Sequence, residues 1–241
     1  MKERVTITVD KKVLALADSL VGKDNIKNRS HAIESIIFSH FSGAGGIKAV
    51  LVAGRKPSQE SVRQTLDNLE KAGVNEIIVA GGRNNEALFS VVSSHPKYAS
   101  KSVFLKEDKE LGTAGIIKSA EAMLNGTFIV VYADISYSLE FKDMLDAHSA
   151  SKKRATMAVT MPRSKADLVD SIRVSGNTVT SFTYMAKEPT RLQNAGIFVF
   201  GEGSLDIFPT TGSLEKDVLP QLAQGGSLGL FLFDSAWKHK G

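Results

Sequence analysis

Side chains that commonly bind metals or act as nucleophiles are scarce in this sequence. Its 241 residues include no cysteine, which rules out disulfides, thiolate zinc sites and cysteine nucleophiles. The five histidines, at positions 31, 40, 95, 148 and 239, show no metal-ligand spacing, so each is expected to be structural or exposed. The net charge of +4 permits nucleic-acid binding without indicating it.

The first chemically informative pattern lies near the N-terminus. Residues 4–9 alternate, with Arg4, Thr6 and Thr8 on one face and three aliphatic side chains on the other, which predicts a strand. Arginine can donate two hydrogen bonds to guanine, and threonine offers a hydroxyl and a methyl group to thymine. The alternative is that these three side chains form only the solvated face of an edge strand.

Two helices are predicted after this strand. The first spans Val13 to Leu20, with Asp10 as its N-cap and Gly22 at its end. The second starts at Asn28–Arg29–Ser30, where exposed backbone N–H groups suit a DNA phosphate. Because a single strand leaves both of its edges unpaired, this small unit needs a second copy.

This strand-helix-helix order, with RVTITV as the strand, resembles the ribbon-helix-helix family of DNA-binding proteins, the Arc/MetJ type. The resemblance implies a β-α-α homodimer whose paired strands enter the major groove of double-stranded DNA. It makes Arg4, Thr6 and Thr8 the base-reading residues and places Asn28, Arg29 and Ser30 at the phosphates.

A run of small residues separates this unit from the rest of the chain. Residues 42–46 are Ser-Gly-Ala-Gly-Gly, between a predicted helix and a predicted strand. A phosphate-binding glycine loop has the opposite order, so these glycines indicate a linker. The predicted organisation is a DNA-binding and dimerisation domain at 1–41, a linker at 42–46 and a second domain at 47–241.

The second domain is predicted to be α/β, with a mostly parallel, Rossmann-like sheet. Apolar strands are predicted at 48–53, 76–80, 102–105, 127–132, 155–161, 172–174 and 196–200, and helices at 59–72, 87–92 and 115–124. Ligands in such folds bind at the carboxyl ends of the strands. No apolar run approaches the roughly 18 residues of a membrane span and no signal peptide opens the chain, so no membrane partner and a cytoplasmic location are expected.

Six segments of this domain carry a second resemblance. They are KAVLVAG at 48–54, LEKAGVNEIIVAGG at 69–82, LGTAG at 111–115, YADI at 132–135, NAGIFVF at 194–200 and LEKDVLPQLA at 214–223. In this order they resemble the sugar-phosphate nucleotidyltransferases, the family that includes glucose-1-phosphate thymidylyltransferases. The resemblance implies condensation of a nucleoside triphosphate with a sugar 1-phosphate, with Mg²⁺ held by two aspartates.

The same resemblance suggests where a nucleotide or sugar phosphate would bind. Asp134 matches the first metal aspartate, and the remaining matched ligand contacts are Leu111, Gly112, Thr113, Gly115, Asn194 and Gly196. Structural roles are the alternative for several of them: Gly112 and Gly115 in a strand-to-helix turn, Asn194 at a strand end, and Asp134 as a helix cap.

The phosphate-binding part of the family pattern is altered in this sequence. A glycine-rich loop with a Gly-Thr-Arg signature is absent, and Gly54 is followed directly by Arg55 and Lys56. These two cations would contact one phosphate without forming the family's cradle. Lys187 stands one place before the position of the usual sugar-phosphate lysine, which is Glu188 here.

The predicted metal site is altered too. In the register set by Trp237, His239 occupies the place of the second metal aspartate, and an alternative register makes Asp234 the ligand. Because Mg²⁺ prefers oxygen ligands, His239 would weaken the site at Asp134.

These departures predict a DNA-binding transcriptional regulator. Its degenerate nucleotidyltransferase-like domain would sense a nucleotide or sugar phosphate or drive oligomerisation, with no catalytic residue or cofactor assigned. The alternative is an active Mg²⁺-dependent sugar-1-phosphate nucleotidyltransferase whose N-terminal unit dimerises or autoregulates. A scaffold without a ligand is the third possibility.

Overall fold

A computed structural model describes residues 6–22, 26–41, 46–54, 57–81, 86–105, 109–162, 164, 167–234 and 237–239. The chain divides into two units, Met1–Ala44 and Gly45–Gly241. In the described ranges no helix has the length and apolar character needed to cross a membrane.

The first unit contains two helices, α1 (Lys11–Leu20) and α2 (Arg29–Phe41). The Asp10 side chain caps α1 by accepting a hydrogen bond of 2.7 Å from the backbone N–H of Lys12. Gly22 follows the helix with φ +88°, a conformation that glycine adopts without strain. Among the residues whose burial is described, Ala17, Ile26 and Ala32 form the buried cluster of this unit.

The predicted N-terminal strand is not observed. Thr6 and Thr8 lie in exposed, irregular chain, and Arg4 lies outside the described residues. Alternation decides which side chains share a face, but it does not by itself give the backbone the extended, paired conformation of a strand. The described residues of this unit form two helices and irregular chain rather than a β-α-α arrangement, so the ribbon-helix-helix prediction is wrong.

Two of the residues predicted to contact DNA phosphates at the start of α2 make hydrogen bonds within the unit. Asn28 Oδ1 accepts a hydrogen bond of 2.9 Å from the backbone N–H of His31, which caps the helix. The Arg29 guanidinium donates to both carboxylate oxygens of Asp18 at 2.6 and 2.7 Å. Hydrogen bonding from Arg29 holds the pKa of Asp18 below its usual value. Ser30 is exposed.

The second unit is built from eleven strands and five α-helices in its described residues. The strands are β1 (Lys48–Val52), β2 (Glu76–Ala80), β3 (Ser102–Leu105), β4 (Phe128–Tyr132), β5 (Ile135–Tyr137), β6 (Ala155–Thr160), β7 (Ser171–Ser175), β8 (Thr178–Thr183), β9 (Gln193–Phe200), β10 (Leu228–Leu232) and β11 (Trp237–His239). The α-helices are α3 (Gln59–Lys71), α4 (Glu86–Ser94), α5 (Gly112–Ser119), α6 (Phe141–Ser151) and α7 (Leu219–Gln224). A π-helix, Leu214–Val218, runs directly into α7.

Nine of the described strands form one mixed sheet in the order β3-β2-β1-β4-β9-β6-β10-β8-β7. Strands β1 to β4 pair in parallel, β9 is antiparallel to both of its neighbours, and β8 is antiparallel to β10 and β7. Most of the sheet therefore points one way, and the α/β prediction with a mostly parallel sheet is confirmed. Strands β5 and β11 form a separate antiparallel pair.

Helices cover both faces of the large sheet. On one face α3 buries Val62, Leu66 and Leu69 in the same cluster as side chains of α4 and α6. Their spacing along α3 is that of an amphipathic helix. On the other face α5 and α7 bury Ile117 and Leu222. Continuous apolar strands such as β1 and β4 fit this arrangement because both of their faces are covered.

Candidate active site

The first element of the site is a carboxylate where two central strands end. Strands β1 and β4 are parallel neighbours with Val52 opposite Tyr132, so Gly54 and Asp134 each lie two residues beyond a strand. Asp134 is 3% exposed. A Cβ atom at position 54 would lie 1.8 Å from Asp134 Cγ. The absence of a side chain at Gly54 therefore makes room for the carboxyl group.

The C-terminal strand runs beside this carboxylate. In the pairing of β5 with β11, the backbone of His239 lies opposite Ile135, the residue that follows Asp134. The backbone of residue 239 therefore lies close in space to the backbone of Asp134. The His239 side chain lies outside the described structure. Asp234, the alternative metal ligand, is exposed.

The donor chemistry at Asp134 suits one form of magnesium binding. Proteins often hold Mg²⁺ through one or two carboxylates together with substrate phosphates and water. The described residues contain no group of three or more His, Cys, Asp or Glu side chains that could hold a metal ion. Asp134 therefore fits an ion whose other ligands come mainly from a nucleotide and water.

A second, buried carboxyl group belongs to Glu215 in the π-helix. Glu215 is 7% exposed. Its Oε1 accepts a short hydrogen bond from the Tyr132 hydroxyl, and its Oε2 accepts from Ser213 Oγ at 2.8 Å and Thr113 Oγ1 at 3.3 Å. Burial, and then the nearby Glu215 charge, raise the pKa of Tyr132 well above its ordinary value. Tyr132 is therefore a neutral hydrogen-bond donor.

A third carboxyl group lies just before β7. Asp170 is 1% exposed. Its Oδ2 accepts a hydrogen bond of 2.7 Å from Gln193 Nε2, and its Oδ1 accepts one of 3.4 Å from the backbone N–H of Met185. Burial raises the pKa of Asp170 from 3.8 to about 6, and the Glu215 charge acts in the same direction.

Strand β9 contributes an amide to the same region. Asn194 is 8% exposed, and its Oδ1 accepts a hydrogen bond of 3.0 Å from the backbone N–H of Gly196. Its Nδ2 makes no hydrogen bond to any residue that the structure describes. The Trp237 indole N–H donates to the Ala195 carbonyl at 3.0 Å, which ties β11 to β9.

Tyr132, Asp170, Asn194 and Glu215, but not Asp134, line a cavity of about 280 Å³. The lining consists of Tyr132, Ile135, Asp167, Val169, Asp170, Tyr184, Gln193, Asn194, Ala195, Gly196, Glu215 and Trp237. A second cavity of about 660 Å³ shares Asp167 and Trp237 with the first and is also lined by Asp234 and Lys238. The polar side chains converging on the smaller cavity are typical of a small-molecule site.

The segment LGTAG, which carries four of the predicted ligand contacts, packs against the segment that carries Glu215. Gly112 has φ +73°, and a Cβ there would lie 2.4 Å from the carbonyl oxygen of Gly212. A Cβ at Gly115 would lie 2.6 Å from the Thr210 carbonyl oxygen. Leu111 accepts a backbone hydrogen bond of 2.9 Å from Gly212. The two glycines thus let α5 approach closely enough for Thr113 to reach Glu215.

Only some of the other predicted ligand contacts lie at the smaller cavity. Asn194 and Gly196 both line the smaller cavity. Lys187 is exposed between β8 and β9, and Arg55 and Lys56 lie outside the described residues.

Comparison with known proteins assigns the family. The model of the nucleotidyl transferase family matches residues 48–239. The chain belongs to the nucleotidyl transferase family. This membership confirms the second resemblance at the level of the family and accounts for the sheet order around the site.

Similar curated proteins act on a sugar phosphate according to their names. Mannose-1-phosphate guanyltransferase of Saccharomyces cerevisiae is 28% identical over 206 residues, which cover 80% of this chain and 55% of the yeast protein. Mannose-1-phosphate guanylyltransferase catalytic subunit beta of Xenopus tropicalis is 28% identical over 181 residues, covering 71% and 50% of the two chains. This nucleotidyl transferase chain spans about half the length of the curated relatives that it matches.

Solved structures share the fold at lower identity. HddC from Yersinia pseudotuberculosis superposes with a TM-score of 0.64 at 20% identity, covering 80% of this chain and 93% of HddC. HddC has also been solved in complex with GMP-PN. The inositol-1-phosphate CTP transferase from T. maritima superposes with a TM-score of 0.65 at 16% identity, covering 83% and 90%.

The prediction of a DNA-binding transcriptional regulator is therefore wrong. The family and the named relatives are nucleotidyltransferases, and the described residues of the first unit include two helices and no strand. The alternative prediction, a sugar-phosphate nucleotidyltransferase, agrees better with these comparisons.

Sequence reasoning did not single out three residues of the cavity. Tyr132 and Glu215 lie within the family segments YADI and LEKDVLPQLA, so a signal for both was present. Asp170 had no such signal, because it lies outside the six family segments, and its hydrogen-bond partners Met185 and Gln193 are distant in the chain.

Proposed function

We propose that the second unit transfers a nucleotidyl group from a nucleoside triphosphate to a sugar 1-phosphate and releases pyrophosphate. Family membership and the mannose-1-phosphate guanyltransferase relatives support this activity. The observation that carries the proposal is the placement of Asp134 against Gly54 at adjacent strand ends, near the cavity lined by Asn194. Because HddC was solved with GMP-PN, a guanine nucleotide is the first donor to test.

In the proposed reaction a phosphate oxygen of the sugar 1-phosphate attacks the α-phosphorus of the nucleotide. A new P–O bond forms, the bond from the α-phosphorus to the bridging oxygen breaks, and pyrophosphate leaves with the electron pair. Such chemistry depends on positioning and charge neutralisation rather than on a protein nucleophile. Mg²⁺ bound at Asp134 would neutralise phosphate charge.

The residues of this chain contribute mainly by binding. Asn194 Nδ2 is proposed to donate a hydrogen bond to a hydroxyl of the sugar, because Asn194 lines the cavity and its Nδ2 makes no hydrogen bond to the described residues. Thr113 and Tyr132 fix the Glu215 carboxylate at the wall of the cavity. Among the sequence-predicted contacts, Arg55 and Lys56 remain proposed partners of the phosphates.

Pyrophosphate release by the purified full chain tests this proposal. GTP, ATP, CTP, UTP and dTTP would each be combined with a panel of sugar 1-phosphates in the presence of Mg²⁺. At least one pair should release pyrophosphate, and Asp134→Asn should lower the rate at least about 100-fold. Asp143→Asn, which changes an exposed carboxylate of α6, serves as the matched control and should retain the wild-type rate.

Two results would overturn the proposed activity. The first is nucleotide binding without pyrophosphate release from any pair. The second is an equal rate for Asp134→Asn and the wild-type protein, because the reaction would then not depend on the carboxylate at the strand ends.

We also propose that the first unit, residues 1–41 followed by a linker at 42–46, mediates self-association, with the nucleotidyltransferase domain at 47–241. Val13 and Leu16 on α1 are 52% and 67% exposed, although they belong to a helix whose Ala17 is buried in the cluster of this unit. A second copy that covered these side chains would bury apolar surface.

Sedimentation equilibrium of the full chain tests the self-association. Leu16→Glu should shift the protein toward monomer, whereas Ala15→Glu, an exposed neighbour on the same helix, should shift it much less. A wild-type monomer at all concentrations, or equal effects of the two variants, would contradict the proposal.

A further inference from the structure

The smaller cavity concentrates negative charge. Its lining includes the carboxyl groups of Asp167, Asp170 and Glu215, and none of its lining residues in the described structure is Lys, Arg or His. Asp170 and Glu215 are buried, while Asp167 is exposed. A ligand group that enters this space therefore meets two carboxyl groups that are shielded from water.

The two buried carboxyl groups are hydrogen-bonded but not neutralised. All three hydrogen-bond donors to Glu215 are hydroxyl groups, and the donors to Asp170 are the Gln193 side-chain amide and the backbone N–H groups of Met185 and Asn194. No ion pair involves either carboxyl group within the described ranges. Neutral donors occupy the oxygen lone pairs but leave the charge in place, and burial makes that charge unfavourable.

Asn194 gives an independent indication of a ligand. This side chain is more than nine-tenths buried and lines the cavity, and its Nδ2 donor has no acceptor among the described residues. A ligand hydroxyl would supply that acceptor. The rings of Tyr184 and Trp237 line the same space, and aromatic faces suit the C–H face of a sugar and a nearby cation.

We propose that this cavity selects a sugar ring that carries a protonated amino group, which Asp170 and Glu215 would bind in preference to a neutral hydroxyl. This inference rests on the proposed function, because it names the class of sugar 1-phosphate that is accepted. The volume of about 280 Å³ is near the lower end of the range of about 300–1,000 Å³ for small-ligand sites. It suits one ring rather than a nucleotide.

Isothermal titration calorimetry on the full chain tests the selectivity. Hexose 1-phosphates with an amino group at C2, C3 or C4 would each be compared with the hydroxyl parent and the N-acetyl derivative at neutral pH. At least one amino sugar should bind about 10-fold more tightly than its parent, which corresponds to a single close charge interaction. The N-acetyl derivative, which lacks the charge, should show no such gain.

Variants identify the carboxyl groups responsible. Asp170→Asn and Glu215→Gln keep the shape of each side chain and remove its charge, so each should reduce the preference to less than about 3-fold. Asp143→Asn on α6, which does not line the cavity, should keep the wild-type ratio. Circular dichroism spectra establish that each variant is folded, and Glu215→Gln alone decides the result if Asp170→Asn does not fold.

The outcomes separate this inference from the proposed activity. Equal affinity for every amino sugar and its parent would overturn the inference, while pyrophosphate release with neutral sugar 1-phosphates would still support nucleotidyl transfer. An amino-sugar preference without pyrophosphate release would support the inference and count against transfer. No binding of any sugar 1-phosphate would overturn both.

Discussion

Replacing Asp170 by asparagine is expected to stabilise the protein at neutral pH. Asp170 is 1% exposed, and burial raises its pKa from 3.8 to about 6. At about 1.4 kcal/mol per pH unit, ionisation of this group in the folded protein costs about 3 kcal/mol relative to the unfolded chain. An asparagine has nearly the same shape and carries no charge, so this cost disappears.

The substitution also weakens one hydrogen bond. Gln193 cannot rotate its amide freely, because its Oε1 accepts a hydrogen bond of 2.9 Å from the backbone N–H of Val169. The asparagine carbonyl must therefore accept from Gln193 Nε2, and its NH₂ group then faces the backbone N–H of Met185. The present bond from Met185 is 3.4 Å long, so its loss should cost about 1 kcal/mol. The expected net gain is about 1–2 kcal/mol at pH 7.5, or about 2–8 °C in Tm.

The gain should depend on pH with a defined sign. The folded protein holds the Asp170 proton up to about pH 6, whereas the unfolded chain releases it near its ordinary pKa of 3.8. Between these values the folded state binds more protons, so the contribution of Asp170 to stability falls as pH rises. The gain should therefore shrink as the pH falls below about 6, and well below pH 3.8, where the residue is protonated in both states, Asp170→Asn should be slightly less stable than wild type.

Guanidinium unfolding of the wild-type protein and Asp170→Asn at several pH values between about 4 and 7.5 measures this dependence. Equal m-values for the two proteins would indicate that the same surface is exposed on unfolding. Asp143→Asn provides the control, because its carboxyl group is exposed. The reasoning is refuted if Asp170→Asn is less stable than wild type at pH 7.5, or if the difference between them does not change with pH.

Three further substitutions test the packing of the two units. Gly54→Ala should lower stability by about 1–3 kcal/mol and should also lower the rate of pyrophosphate release, because the new methyl group would overlap Asp134. Unfolding curves measure the first effect and the pyrophosphate assay measures the second. Tyr132→Phe should cost about 1–3 kcal/mol in the same unfolding experiment, because Glu215 loses one of its hydroxyl donors. Asn28→Ala should cost about 1 kcal/mol through loss of a helix cap, measured by thermal unfolding followed at 222 nm.

Each of these predictions has a control or a contrary outcome. Gly176 lies in the turn between β7 and β8, and no atom lies within 4 Å of a Cβ built there, so Gly176→Asn should be nearly neutral. Ser30→Ala is the matched change for Asn28, because Ser30 is exposed next to the same helix start. Unchanged stability of Tyr132→Phe would show that its hydroxyl does not support the Glu215 carboxylate.

Much of the second unit could be predicted from the sequence because its central strands are continuous apolar runs. Strands β2 and β3 have the predicted bounds, and β1 ends one residue earlier than predicted. The three-residue strands β5 and β11 were not predicted, because each is too short to show a pattern. Their pairing joins Trp237 to Tyr137, a contact between residues far apart in the chain.

The N-terminal pattern failed for the opposite reason. Alternation at residues 4–9 is a strong local signal, but a strand also needs a neighbouring strand to satisfy its backbone groups. The helices of the same unit were predicted correctly, because their hydrogen bonds are internal and their caps, Asp10 and Asn28, act within a few residues. Local signals therefore determined the helices and misidentified the strand.

Asp170 links stability to ligand selection. If a protonated amino group binds beside Asp170, it favours the ionised carboxylate and offsets the cost that burial imposes. A ligand that binds only the folded protein stabilises it by an amount that grows with the logarithm of its concentration relative to Kd. A saturating amino sugar should therefore raise the stability of the wild-type protein more than that of Asp170→Asn, and a neutral sugar should affect both equally. The destabilising charge and the preference for a cationic sugar would then have a single physical cause.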